Sequence, residues 1–321
     1  MLAIRSLYAS IAILFPLVVQ AQNFPIKPVQ IIVPYAPGGS TDLAARVLAA
    51  KLTEQWGQQV VVENRPGGNG FIGMSAGAKS RPDGYALTLG TVGDVAVNPA
   101  LFPNVPFSME RDFTPISMVS DAELVLIAGK NTPYTSVQDV VNAAKAQPGR
   151  LSVATSGMGT MPHVLLEWMS IMSGAQFQHV PYKGGGPAAA AVAGDSLPLG
   201  ILAASGVASF VKSGHIKVMA IMSPERSKNN PSWPTLIESG VKEVAGSGWA
   251  ALFAPKGTPS EIVDKISVDV GKALKADDVI ARFSGAGMEA VPTTPTELAM
   301  RIKKDQEAFA AIIKSANVKP E

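Results

Sequence analysis

Val29-Gln30-Ile31-Ile32-Val33-Pro34-Tyr35-Ala36-Pro37-Gly38-Gly39-Ser40-Thr41-Asp42 carries the fold signal of the whole chain in one stretch. The apolar run 29–33, closed on both sides by proline, reads as a buried strand. Pro37-Gly38-Gly39 reads as a turn. Ser40, Thr41 or Asp42 can then cap a helix running to about Trp56, with Leu43, Val47, Leu48 and Leu52 on one face. Two readings of the turn stand side by side. In one, Gly38 and Gly39 let backbone approach a ligand, and the helix start offers unpaired N–H groups and the positive end of a dipole: an anion site without basic side chains. In the other, the turn only links strand to helix through a capping hydroxyl.

The pattern repeats down the chain. Strands are expected at 59–62, 85–90, 116–119, 123–128, 151–155, 177–180, 197–202, 216–221 and 249–254. Helices are expected at 136–147, 160–173, 187–193, 259–275 and 295–316, with another ending near Val211. Such alternation implies an α/β fold with parallel sheets covered on both faces. The length predicts two lobes. With no flexible linker in sight, rigid crossover strands would join them, giving a periplasmic-binding-protein-like architecture with a hinge and a ligand cleft between the lobes. The expected bodies are 22–121 plus 247–321 for the first lobe and 122–246 for the second.

Composition narrows the functional classes. The 321 residues hold 27 Lys plus Arg against 25 Asp plus Glu, a net charge of +2, and the positive charges are scattered, unlike the patch a nucleic-acid binder needs. Only 16% of residues are charged and 47% are apolar, so a large core is easily buried. The absence of cysteine excludes disulfides, thiol catalysis, and thiolate-held zinc or iron–sulfur clusters. Residues 1–21 read as a cleaved secretory signal peptide: Arg5 gives the positive start, Ile11 to Val19 the apolar stretch, and Val19-Gln20-Ala21 the cleavage site. Pro16 and the polar residues from Gln20 argue against a membrane anchor. The expectation is an exported, periplasmic protein.

Ser156-Gly157-Met158-Gly159-Thr160 repeats the first loop's chemistry at the start of another helix, a lobe's length away, so two helix N-termini could converge on one small anion. A third glycine-rich stretch, Tyr182-Lys183-Gly184-Gly185-Gly186-Pro187, could line the same cleft. His163, in the first turn after the second loop, could reach the cleft or could simply pack. The candidate ligand-binding set is Tyr35, Ala36, Gly38, Gly39, Ser40, Thr41, Asp42, Thr91, Ser156, Gly157, Gly159, Thr160, His163, Tyr182 and Lys183. Gly68-x-Gly70-x-x-Gly73 matches the dinucleotide fingerprint, but it follows the second strand and lacks a well-placed ribose acid at Asp83 or Asp94. Ser209-Phe-Val-Lys212 lacks the motifs that accompany S-x-x-K in penicillin-binding enzymes. The three histidines lack metal-ligand spacing, so no metal, cofactor or catalytic residue is assigned.

Several stretches taken in order resemble the substrate-binding proteins of tripartite tricarboxylate transporters, the Bug-type periplasmic receptors. They are 27–29 running on through 33–42, Val62-Glu63-Asn64-Arg65-Pro66-Gly67-Gly68 with Gly73, Pro82-Asp83-Gly84-Tyr85, Asn98-Pro99, Ser156-Gly157 with Gly159 and His163, and Val180-Pro181-Tyr182-Lys183-Gly184. The resemblance implies two α/β lobes closing on a small carboxylate without catalysis, the carboxylate being held by amides and hydroxyls of the loops at 36–42 and 156–160. It also implies delivery of that ligand to integral membrane transporter subunits by a receptor expected to be a monomer. One departure matters. Where the family commonly has an acid, in a Gly-x-Val-Asp pattern, this chain has Gly194-Asp195-Ser196-Leu197, which disfavours an amino-acid ligand unless Asp195 takes the role. Two rival expectations are a periplasmic hydrolase using Ser156 and His163, and a receptor that signals to a membrane sensor.

Overall fold

The computed structural model describes residues 24–315. The signal-peptide reading of 1–21 lies outside the described residues. The first part of the chain runs β1 (Val29–Val33), α1 (Ser40–Trp56), β2 (Val60–Asn64), α2 (Phe71–Ala78), β3 (Ala86–Thr91), α3 (Asn98–Leu101), α4 (Met109–Asp112) and β4 (Phe113–Ala122). The middle part follows as β5 (Leu124–Gly129), α5 (Val137–Ala146), β6 (Leu151–Thr155), α6 (Met161–Ser173), β7 (Phe177–Pro181), α7 (Gly185–Ala193), β8 (Leu199–Ala203), α8 (Ala204–Lys212) and β9 (Ile216–Ile221). The chain closes with β10 (Ala250–Pro255), α9 (Ser260–Leu274), α10 (Asp277–Ser284), β11 (Met288–Ala290) and α11 (Pro295–Ser315).

Two sheets organise these elements: β11-β4-β10-β3-β1-β2, and β7-β6-β8-β5-β9. The expected all-parallel pairing is corrected. β1 is parallel to β2 and β3, and β6 to β7 and β8, but β10 is antiparallel to β3 and β4, β11 to β4, and β5 to β8 and β9. The reason lies in the connections. Only Glu123 separates β4 from β5, so one extended run serves both sheets, and β10 returns from the second sheet with no crossover helix before it. Strand-to-helix alternation says nothing about strands joined in this way.

The crossings lie side by side. Glu123 bridges Ser247 in antiparallel fashion, the Gly248 amide donates to the Ala122 carbonyl at 3.0 Å, and the Ala204 amide donates to the Glu123 carbonyl at 2.8 Å. Backbone hydrogen bonds thus tie the two crossings together where the lobes meet. Within the first lobe, α1 buries Val47, Leu48 and Leu52 against Ile31, Val33 and Leu89 of the sheet, with Leu43 half-buried at the margin. Each fully buried Leu contributes about 1.5–3 kcal/mol. α2 lies so close to the sheet that a Cβ on Gly73 would collide with Pro34, which gives that glycine a packing role in place of a nucleotide-binding one.

Candidate functional site

A cavity of about 60 Å³ lies between the two sheets, bounded by the loops that open α1, α6, α7 and α8. The N-cap residues of these four helices are Gly39, Thr160, Gly184 and Ala203, and no side chain caps any of them. Away from the cavity, α5 has a complete capping box of Ser136 and Asp139, while α9 and α10 also have no side-chain cap, so it is the convergence of the four starts that marks the site. Ser40 and Thr41 of α1, Met161 and Pro162 of α6, Gly185 of α7 and Gly206 of α8 all line the cavity, so four helix starts converge on one small space. Among the described residues lining it there is no Lys, Arg or His. Amides and dipole ends are therefore the positive features of this site.

The first loop departs from its expected capping. Gly39 is the N-cap, with φ −89° and ψ 175°, and neither Ser40, Thr41 nor Asp42 caps the helix. The Asp42 carboxylate instead organises the loop: it accepts from the Gly38 amide at 3.0 Å, from Arg46 Nε at 3.0 Å and from Asn64 Nδ2 at 2.9 Å. Burial pushes its pKa up, but the Arg46 guanidinium and the two amides outweigh burial and hold it below the usual carboxylate range. Asp42 borders the cavity, yet its oxygens are already engaged by the scaffold. Gly38 is not a lining residue.

The second loop is held from behind. Thr160 Oγ1 donates to the Gly157 carbonyl at 2.6 Å, and Ser156 Oγ donates to Thr160 Oγ1 at 3.2 Å. The expectation that His163 could face the cleft is corrected: it is 1% exposed and does not line the cavity. Its Nδ1 accepts the Gly159 amide at 3.2 Å, and its ring stacks on His179 at 4.4 Å between centroids, with Thr155 Oγ1 2.7 Å from His179 Nε2. Burial, then the neighbouring His179, lowers His163 to about 3, and burial lowers His179 to about 4, so both are neutral at pH 7. Wide separation in sequence concealed this pair. The Ser156 hydroxyl meets Thr160 and not His163, so the nucleophile–base pair that a hydrolase would need is not assembled.

Of the candidate residues, Tyr35, Ala36, Gly39, Ser40, Thr41, Asp42, Thr91, Ser156 and Thr160 line the cavity. Gly157, Tyr182 and Lys183 instead line a neighbouring cavity of about 180 Å³, which shares Tyr35 and Ser156 with the first. Gly159 lines neither, and a Cβ there would run into Asn98. Asp195 does not take over the acidic role: it accepts from Asn131 Nδ2 at 2.6 Å and is not a lining residue.

Three features escaped the sequence reading. The α8 start, with Ala203 and Gly206, carries no glycine-rich signature. The Gly184–Gly186 segment meets Pro37–Gly39 face to face across the lobes: the Ala36 amide donates to the Lys183 carbonyl at 2.8 Å, and a Cβ on Gly39 would stand 3.3 Å from the Gly185 nitrogen. Asp94, fully buried behind Tyr35 and Thr91, accepts from both hydroxyls and from the Thr91 amide. Burial raises it to about 6 against the pull of those hydrogen bonds. The Tyr35 phenol is in turn pushed up by burial and by the Asp94 carboxylate, so it stays protonated.

Two lobes joined by paired crossings, with a small cavity ringed by helix N-termini between them, define a solute-binding protein of the periplasmic type. Residues 44–318 match the model of the tripartite tricarboxylate transporter family receptor, and the chain belongs to that family. It is 36% identical over 302 residues to Protein BugT of Bordetella pertussis, covering 94% of this chain and 93% of that one. Among solved structures, R. palustris Rpa4515 with adipate superposes with a TM-score of 0.90 at 30% identity, covering 93% of this chain and 100% of that one. MatC from Rhodopseudomonas palustris with bound malate gives 0.86 at 28% identity, covering 90% and 100%. The family and these neighbours are solute-binding proteins, not enzymes. Among the described residues no helix is long and apolar enough to cross a membrane.

Proposed function

We propose that this receptor captures a small organic carboxylate in the interlobe cavity and hands it to the membrane subunits of a tripartite tricarboxylate-type transporter, working in the periplasm as a monomer. Residues 22–121 plus 247–321 would close as one body on residues 122–246. The observation that carries this reading is the convergence of four uncapped helix starts on a cavity lined by no basic side chain. Each N-terminus bears roughly half a positive charge and loses little to salt when enclosed. Ser40 and Thr41 would donate hydroxyls alongside the amides of the α1 and α6 starts. The 60 Å³ cavity exceeds the roughly 10–15 Å³ needed to admit a single water yet is small, which suits a compact acid. Lys183 and Tyr182, over the neighbouring cavity, would receive the far end of a longer one. That related receptors have been solved with adipate and malate supports the ligand class.

A thermal-shift screen over mono-, di- and tricarboxylates tests the proposal, with mass analysis of the recovered acid. A ligand at 100 times its Kd should add about 2.7 kcal/mol and be recovered unchanged. If no carboxylate stabilises the protein, or if the acid is converted, the reading fails.

A further inference from the structure

Behind the cavity wall the Tyr35 Oη lies 3.0 Å from both oxygens of the Asp94 carboxylate and 3.0 Å from Thr91 Oγ1. Thr91 Oγ1 and the Thr91 amide each lie 2.8 Å from Asp94 Oδ2. Three groups thus share two hydroxyl hydrogens, and an ionised carboxylate only accepts. Whether a hydroxyl donates to Asp94 or to its neighbour, both hydrogens are spent inside the triad. Asp94 is 0% exposed, and a Cβ on Gly70 would collide with its carboxylate, so the acid is held from that side as well. Tyr35 and Thr91 both line the cavity, and with both hydrogens spent, a hydroxyl oxygen turned toward it would offer only lone pairs.

We propose that Asp94 is a positioning residue that turns the Tyr35 and Thr91 hydroxyls into acceptors, so that the site selects a carboxylate bearing a hydroxyl group. This rests on the carboxylate reading above and names the ligand class within it. The helix starts supply donors for the carboxylate, while this wall supplies only acceptors for a second group. A ligand without a donor leaves those lone pairs unpaired in an enclosed space, and a site arranged to hydrogen-bond a hydroxyl discriminates against the analogue lacking it. A hydroxyl suits the wall better than an ammonium. The dipole ends oppose a cation, the Asp42 oxygens are committed, and Asp195 faces Asn131.

Titration calorimetry at pH 7.5 with malate against succinate, lactate against propionate, and alanine against lactate provides the test. In the wild type, the hydroxy acid of at least one pair should bind about tenfold or more tightly than its deoxy partner, and alanine more weakly than lactate. Asp94→Asn puts an N–H donor against Tyr35 and takes up a lone pair that the wall would otherwise offer the ligand; the preference should fall to within about threefold. Thr91→Val, which removes one acceptor, replaces it should Asp94→Asn fail to fold, and should shrink the same ratio. A merely structural Asp94 would weaken both members of a pair alike and leave the ratio unchanged, which overturns the proposal. Equal binding of hydroxy and deoxy acids by the wild type, or alanine binding more tightly than lactate, overturns it while carboxylate binding stands. Binding of none of these acids overturns the hydroxy-acid proposal, and the screen over mono-, di- and tricarboxylates then decides by itself whether the carboxylate reading stands.

Discussion

Gly186→Ala is expected to weaken ligand binding while leaving the ligand-free protein as stable as before, or slightly more so. Gly186 sits in the first turn of α7, in ordinary helical backbone, so a methyl group there favours the helix by about 0.5–1 kcal/mol. Across the lobe boundary the new Cβ would enter the envelope of the Pro37 carbonyl oxygen and stand 3.1 and 3.2 Å from the carbonyl carbon and Cα of Gly38. Carbon pairs attract at about 3.5–4.0 Å, so closure must stop short by roughly half an ångström. The 2.8 Å bond from the Ala36 amide to the Lys183 carbonyl stretches with it. Overpacking of this kind costs about 1–3 kcal/mol, charged here only to the closed state. At 1.4 kcal/mol per decade, apparent affinity drops roughly 5- to 150-fold. Gly271→Ala is the control, since its Cβ meets nothing within 4 Å and lies in α9 far from the cavity. It should add the same helix stability and leave affinity intact. Calorimetric Kd values and ligand-free melting curves for both variants decide the matter. Wild-type affinity in Gly186→Ala would refute closure to this distance, and a drop of several kcal/mol in ligand-free stability would make the contact part of the fold instead of part of closure.

Three further outcomes are expected. Because Gly39 and not Ser40 is the N-cap, Ser40→Ala should leave melting within about 0.5 kcal/mol of wild type yet lower affinity roughly 10- to 150-fold, the loss of one hydroxyl bonded to a charged group; paired melting and binding measurements check this. Burial raises Asp94 from an unfolded value of 3.8 to about 6, so the folded state holds its proton more tightly and this group's contribution to stability falls as pH rises from about 4 to 6, by about 3 kcal/mol in all; Asp94→Asn should therefore melt higher than wild type at pH 7.5, with the advantage gone near pH 4, and a variant less stable at pH 7.5 would contradict this account. The histidine pair has the opposite sign: folded values of about 3 and 4 lie below 6.5, so the unfolded chain takes up protons first and stability falls as pH drops below 6.5; His163→Asn, which can still accept from Gly159, should flatten that slope in urea unfolding measured from pH 7 to 4.5.

Much of the fold was legible in local sequence. The strand at 29–33, the turn at 37–39 and the helix from Ser40 follow from an apolar run, two glycines and a periodic face, all within one short window. The same signals marked Ser156 to Thr160 as the start of α6. Those features depend on neighbours in the chain, and residue type alone carries them. α10, β11 and the short helices α3 and α4 were missed, being brief elements stabilised by what they pack against.

What the tertiary structure decided is which of these local features face one another. Four helix starts meet at one cavity because β1, β6 and β8 end there, with the α7 start alongside, and that arrangement depends on sheet order. β5 and β10 run antiparallel because the chain crosses between lobes without a helix, a choice no periodicity records. His163 turns away from the cavity to stack on His179, Lys183 serves a neighbouring space, and Asp94 reaches Tyr35, which is distant in sequence. A helix start or a buried acid is fixed by bonds and propensities within a few residues. Its function depends on the direction of a side chain and the identity of its neighbour, and those are set when separate elements pack and the excluded water leaves each polar group to find its partner.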